Sequence, residues 1–186
     1  MLTYKVNHLE ALLFTHEHAD HTAGLDDIRP FFFRQGDIPV YAHKRVVAEL
    51  KKRFDYIFKT ENRYPGAPAV AIHEVINNNL FTINKLEVEP INVMHGKLQV
   101  FGYRFANFAY LTDVKTISEA EKAKLNNLDV LVVNALREEP HYSHFNLQEA
   151  LAFVEEIKPK QTYFTHISHL LGFHAEVEAR LPENIH

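Results

Sequence analysis

Three histidines and an aspartate fall within six consecutive residues, 16–21, of the segment Thr15-His16-Glu17-His18-Ala19-Asp20-His21-Thr22-Ala23-Gly24. An apolar run at residues 9–14 leads directly into it. Neutral imidazole is the commonest metal ligand, and a carboxylate is the natural oxygen partner for a divalent cation. The feature therefore commits the chain to a strand that delivers ligands at its end. His16 and His18 are two apart, a spacing that turns both rings to one side of an extended backbone. Asp20 and His21 follow where the chain turns, so they can face a second metal beside the first. A merely solvated polar loop is the competing reading, and four potential ligands in six residues after a strand outweigh it.

The chain has no cysteine, which excludes disulfides and a thiolate zinc site. Any metal must be held by histidine and carboxylate, and the 13 histidines make their placement matter more than their number. A formal net charge of −4 argues against a broad basic surface for nucleic acid. No apolar run approaches the roughly 18 residues of a membrane span. The N-terminal stretch lacks a signal peptide's small-residue cleavage site, so a cytoplasmic location is expected. At 186 residues the chain is expected to form a single domain, 1–186, with a sizeable core.

Strand and helix patterns alternate, the signature of an α/β fold. Residues 8–15 read as a buried strand, 22–28 as a short helix stopped near Pro30, and 39–42 as a short strand. Residues 43–58 read as one helix with Val46, Val47, Leu50, Phe54 and Ile57 on a stripe. Residues 59–69 form a loop. From residue 70 to 112 the chain is mostly β, with strands at 70–76, 80–83, 86–94, 98–105 and 108–111. Ser118 to Glu121 has the form of a capping box opening a helix to about Leu125. Residues 129–134 and 161–165 are buried strands. Between them lies a helix capped by Asn146 and stopped by Pro159. A last short helix is expected at 174–181.

Two metals need more than four ligands, and strand ends hold side chains well. His95 and His166 each follow directly on a predicted strand, and Asp113 follows the run Phe108-Ala109-Tyr110-Leu111-Thr112. In this order, after His16-x-His18-x-Asp20-His21, they resemble the metallo-β-lactamase fold of dinuclear metallohydrolases over almost the whole chain. That resemblance implies a four-layer αββα sandwich with the metals at one edge. It implies that His16, His18 and His95 hold one metal, that Asp20, His21 and His166 hold the other, and that Asp113 bridges them. The subgroup it is most similar to is the phosphoribosyl cyclic phosphodiesterase of phosphonate breakdown with its relatives, akin to the tRNA 3′-processing phosphodiesterases. Leu111-Thr112-Asp113, Ser143-His144-Phe145-Asn146-Leu147 and Thr165-His166-Ile167-Ser168-His169 carry that likeness. There the histidine matching His144 is a catalytic residue that protonates the leaving group or contacts phosphate, chemistry open to an imidazole titrating near neutrality. His141, three residues earlier, carries no assignment.

The resemblance departs in two places. The subgroup commonly has a cysteine-rich structural zinc site completed by a histidine matching His169. Without cysteine that site cannot form in the usual way, and His169 is expected to be structural or loosely held. The family also places several strands before the first histidine motif, whereas one strand precedes it here. The expectation is therefore a sandwich lacking its N-terminal strands, with exposed apolar faces that the chain covers by homo-oligomerising or that leave it poorly stable alone.

The implied function is hydrolysis of a small or cyclic phosphodiester by a metal-bound hydroxide. Two divalent ions, zinc or manganese, serve as cofactors, and Asp20 and His144 are the catalytic residues. Arg29, Arg34, Lys97 and Arg137 are available for phosphate contacts, though each reads first as surface charge. No basic arm for tRNA is visible, and no membrane partner is expected. The alternatives are lactone or thioester hydrolysis on the same metal cage, and a truncated inactive member.

Overall fold

Of the strand expected at residues 8–15, Leu12–Leu13 forms a ladder (β1). It pairs in parallel with β2, Ile38–Ala42, which pairs in parallel with β3, Val70–Glu74. The structure is a computed structural model describing residues 4–186, and it resolves into two compact units, one ending at Ile76 and one running Asn77–His186.

In the first unit, α1 is Ala19–Thr22; a 3-10 stretch, Ala23–Ile28, joins it to α2, Arg29–Gln35. The sequence pattern stops a helix near Pro30, but Pro30 instead lies in the first turn of α2. There its missing N–H costs nothing and its fixed φ suits the helix. The single helix predicted over 43–58 is broken at Phe54 (φ −122°, ψ 40°) into α3, Lys44–Arg53, and α4, Asp55–Phe58. His43 caps α3 by accepting the Arg45 N–H on Nδ1 at 3.3 Å. Val46, Val47 and Leu50 of α3 and Ile57 of α4 pack with Leu25, Phe31, Ile38 and Val40 into the unit's core. Of the three consecutive phenylalanines, Phe31 is in that core, while Phe33 is exposed.

The second unit is built on a seven-stranded sheet. Its strands are β4, Phe81–Ile83; β5, Leu86–His95; β6, Leu98–Phe105; β7, Phe108–Tyr110; β8, Thr116–Ile117; β9, Val130–Asn134; and β10, Gln161–Thr165. The order is β10-β9-β7-β6-β5-β4, with β8 also on β5. β10, β9 and β7 are mutually parallel, and β6 is antiparallel to both β7 and β5. It follows that β5, β7, β9 and β10 all run the same way and end at the same edge of the sheet. Helices α5, Glu119–Lys122, α6, Leu147–Ile157, and α7, His174–Glu178, complete the unit.

Alternate residues of β5 and β9 (Ile91, Val93, Leu131, Val133) meet Leu147, Ala150 and Val154 of α6 in one buried cluster. The helix starts where Asn146 and Glu149 form a complete capping box, each side chain accepting the other's backbone N–H at 2.9 Å. It ends at Lys158, held left-handed (φ 57°) ahead of Pro159. Ser118 forms only half of its predicted box. It accepts from Glu121 N–H, but the Glu121 carboxylate turns to the Asn92 backbone N–H at 2.8 Å and to Lys124 at 2.9 Å.

Gly102 of β6 lies where the sheet leaves no room for a side chain. A Cβ there would be 2.8 Å from the Tyr110 carbonyl oxygen and would press on Leu111 Cδ2. Gly102→Ala is expected to lower stability by about 1–3 kcal/mol through overpacking against fixed backbone. A urea melt showing an unchanged midpoint would contradict this close approach.

Candidate metal centre

The first unit gathers its four predicted ligands just past β1. His16 is fully buried, with Nδ1 3.1 Å from Thr15 Oγ1 and Nε2 3.1 Å from His18 Nδ1. The His21 ring centroid is 4.3 Å from that of His16, and His21 Nε2 lies 3.2 Å from Asp20 Oδ2. Between the ligands, Glu17 turns away and accepts from Arg45 Nε of α3 at 2.7 Å. Arg53 of the same helix donates to the Glu17 carbonyl at 2.8 Å and to Thr22 Oγ1 at 3.1 Å. Two arginines on one helix thus clamp the ligand loop, and the odd residue of His-Glu-His supplies the handle. The extended backbone at His18 (φ −61°, ψ 151°) then breaks into α1. This is the turn that the sequence pattern predicts between the first and second ligand pairs.

In the second unit the co-directional strands do the gathering. His95 is the last residue of β5, Asp113 follows β7 by three residues, and His166 comes immediately after β10. His144 lies on the connection between β9 and α6. Asp113 is 1% exposed, and its carboxylate accepts from Thr112 Oγ1 at 2.7 Å. Around it, His166 Nε2 is 3.2 Å from Oδ1, while His144 Nε2 is 3.4 Å and His95 Nε2 is 3.8 Å from Oδ2. Asp113 and His166 both have left-handed backbone, at φ 58° and 52°. For non-glycine residues that conformation is uncommon and concentrates at functional sites.

A buried carboxylate is costly unless paired, and three imidazoles converge on this one. His95 Nδ1 lies 2.9 Å from the Ser143 carbonyl oxygen, which can only accept. The proton of neutral His95 is therefore on Nδ1, the usual outer support of a metal-binding histidine, and Nε2 is on the side of Asp113. His144 Nε2 is buried with no hydrogen-bond partner among the described residues, although Asp113 is near. Asp113, His144 and His166 each offer a ligand atom within 4.8 Å of the others. A lone pair beside a carboxylate at such distances is repulsive unless a cation or a proton lies between. The donor set and its geometry fit a divalent metal.

The side chains that sequence reading passes over are the supports. Ser143 Oγ lies 3.1 Å from His144 Nδ1, and His141 Nδ1 lies 2.9 Å from the same nitrogen. Burial, and then the neighbouring charges of His144, Arg137 and Lys115, hold the His141 pKa below the usual histidine value. The paired histidines in His141-Tyr142-Ser143-His144 were the available signal, but their spacing alone does not say which ring supports the other. Gly96, with φ 61°, brings the turn after His95 against Ser143, whose Cβ would be 3.3 Å from an added Cβ.

The candidate phosphate-binding cations are mostly engaged locally. Arg29 donates to both oxygens of Asp26 at 2.9 and 2.7 Å, and Arg34 donates to Asn7 at 3.2 Å. Arg137 donates to the carbonyls of Glu139 and Pro140. Lys97 and His169 are exposed. His73 stacks on Tyr41, and exposed His174 lies 3.5 Å from Glu178. Among the described residues no helix is long and apolar enough to cross a membrane.

Residues 2–167 match the model of the beta-lactamase superfamily domain. The chain is 36% identical over 182 residues to an octanoyltransferase of Porphyromonas gingivalis (strain ATCC BAA-308 / W83), covering 97% of this chain and 37% of that protein. It is 30% identical over 105 residues to ribonuclease Z of Bacillus subtilis (strain 168), covering 55% of this chain and 32% of that protein. The chain thus spans about a third of the length of these two curated relatives. The crystal structure of a new diphosphatase from the PhnP family superposes with a TM-score of 0.87 at 37% identity, covering 99% of this chain and 70% of that one.

Proposed function

The chain belongs to the beta-lactamase superfamily, with its metallo-β-lactamase α/β fold, and on that premise we propose that it is a dinuclear metal-dependent phosphodiesterase acting on a small or cyclic phosphodiester. The observation that carries the reading is the buried Asp113 carboxylate, ringed by three imidazoles at the ends of co-directional strands. The ribonuclease and the diphosphatase, both named for hydrolysis at phosphorus, favour a phosphoryl over a carbonyl substrate. His16, His18 and His95 would hold one cation, Asp20, His21 and His166 would hold the other, and Asp113 would be shared. The all-nitrogen-and-oxygen set suits zinc or manganese.

When bound, such cations supply Lewis acidity, lowering the pKa of water and drawing charge from a phosphoryl oxygen. The chain's own residues do the rest. Asp113 offsets the mutual repulsion of the two positive charges. Asp20 orients the attacking water by accepting one of its hydrogens. Thr112 and Ser143 hold Asp113 and His95 in place. His144, with Nε2 turned into the cluster, gives a proton to the leaving oxygen.

The test is metal analysis of the purified protein, run with hydrolysis of an activated phosphodiester and of a lactone. About two metal ions per chain with phosphodiester turnover is the expected result. Lactone turnover alone would replace this reading with carbonyl hydrolysis. A protein that binds no metal would end the catalytic reading and leave an inactive member of the family.

A further inference from the structure

His141 stands outside the proposed ligand set, yet it meets the one imidazole whose orientation the reaction needs. His141 Nδ1 lies 2.9 Å from His144 Nδ1 and 3.4 Å from the backbone nitrogen of Ser143. A backbone N–H can only donate, so His141 Nδ1 is the acceptor and the proton of neutral His141 is on Nε2. The proton in the short contact between the two Nδ1 atoms must then belong to His144. Ser143 Oγ, 3.1 Å from His144 Nδ1 and 3.3 Å from His141 Nδ1, bridges the pair. With Nδ1–H committed on this side, the opposite nitrogen is turned inward. His144 Nε2 lies 3.4 Å from Asp113 Oδ2, and the ring stacks on His166 at 4.9 Å with an interplanar angle of 20°.

We propose that His141 is a positioning residue for His144, accepting its Nδ1–H and so fixing the ring rotation and tautomer that present Nε2 to the leaving oxygen. The catalytic consequence rests on the phosphodiesterase reading, while the geometry does not. In the acid form His144 carries protons on both nitrogens. As the bond from phosphorus to the leaving oxygen breaks, its electron pair stays on that oxygen, which takes the Nε2 proton. His144 is left neutral with Nδ1–H, the form that His141 already satisfies. The ring therefore need not rotate or exchange tautomers during the step, and that reorganisation is what the contact removes.

The same short segment supports the rest of the cluster. The Ser143 carbonyl accepts from His95 Nδ1, and the Phe145 N–H donates to the Val114 carbonyl at 2.7 Å. A purely structural role for His141 would thus disturb metal binding. A positioning role would disturb His144 alone, and the two are separable by experiment.

The experiment compares His141→Ala and His141→Asn in the zinc-loaded protein, the asparagine oxygen standing near the accepting Nδ1. Its readouts are zinc content, kcat and KM on an activated phosphodiester, and long-range proton–nitrogen NMR of the His144 ring. His141→Ala is expected to keep its zinc and its KM while kcat falls by about 10–100-fold, the usual cost of losing an outer support. Its His144 should show mixed tautomers. His141→Asn should recover most of kcat and the single Nδ1–H form. An unprotonated His144 Nδ1 in the unaltered protein would overturn the proposal, as would an alanine variant with native tautomer and native kcat. If the unaltered protein turns over no phosphodiester, the functional reading fails, and the His144 tautomer alone still decides the positioning role.

Discussion

Removing the Asp113 carboxylate is expected to strip metal and activity together. The side chain is almost fully buried, its oxygens face His95, His144 and His166, and Thr112 holds it in place. Without it, the imidazoles would lose the negative charge that offsets the proposed cations. Asp113→Ala also puts alanine at a backbone φ of 58°, which alanine resists. Asp113→Asn is the cleaner variant, because asparagine tolerates that conformation and keeps the shape while deleting the charge. Both variants are expected to lose most bound metal and to slow turnover by about 10³-fold or more, several kcal/mol of transition-state stabilisation. The asparagine variant should melt cooperatively as a folded protein. Two retained metals and native turnover in that variant would break the assignment of Asp113 as the shared ligand.

His144→Ala separates proton delivery from metal binding. Its Nε2 has no hydrogen-bond partner among the described residues, and its Nδ1 is held by Ser143 and His141. The variant is expected to keep its metals and lose about 10²–10⁴-fold in kcat on a substrate with a poor leaving group. A leaving group that departs without a proton should be much less affected, since no acid is then needed. Equal losses on both substrates would remove His144 as the acid. Loss of metal in this variant would reassign it as a ligand beside Asp113 and His166, whose donor atoms it can share.

Elements whose signals are local were legible in the sequence. Residues 98–105 form a strand with the expected bounds, as do residues 161–165. The Asn146 cap is present, because a capping box is satisfied within one turn of chain. Elements that depend on neighbours were read less well. The strand at 8–15 shrinks to Leu12–Leu13, the two residues that pair with Val40 and Tyr41, and apolar character cannot reveal how far a pairing runs. β8 was missed, since Thr116–Ile117 is a strand only through its pairing with Met94 and Val93. Pro30 reads as a stop in the pattern, yet it lies in the first turn of α2, where proline is equally at home.

The ligand chemistry open to this chain is written in its local sequence. A cysteine-free chain with His16-x-His18-x-Asp20-His21 must bind any metal through nitrogen and oxygen, and the order of His95, Asp113 and His166 after strands pointed to the family. The tertiary structure alone decided how the later residues meet. Residues 95, 113, 144 and 166 are far apart in the chain, and only the shared direction of β5, β7, β9 and β10 brings their ends to one edge. Tautomers too were decided there. A proton's place on His95 or His144 follows from which carbonyl or ring nitrogen lies opposite, a contact between residues that no local pattern encodes.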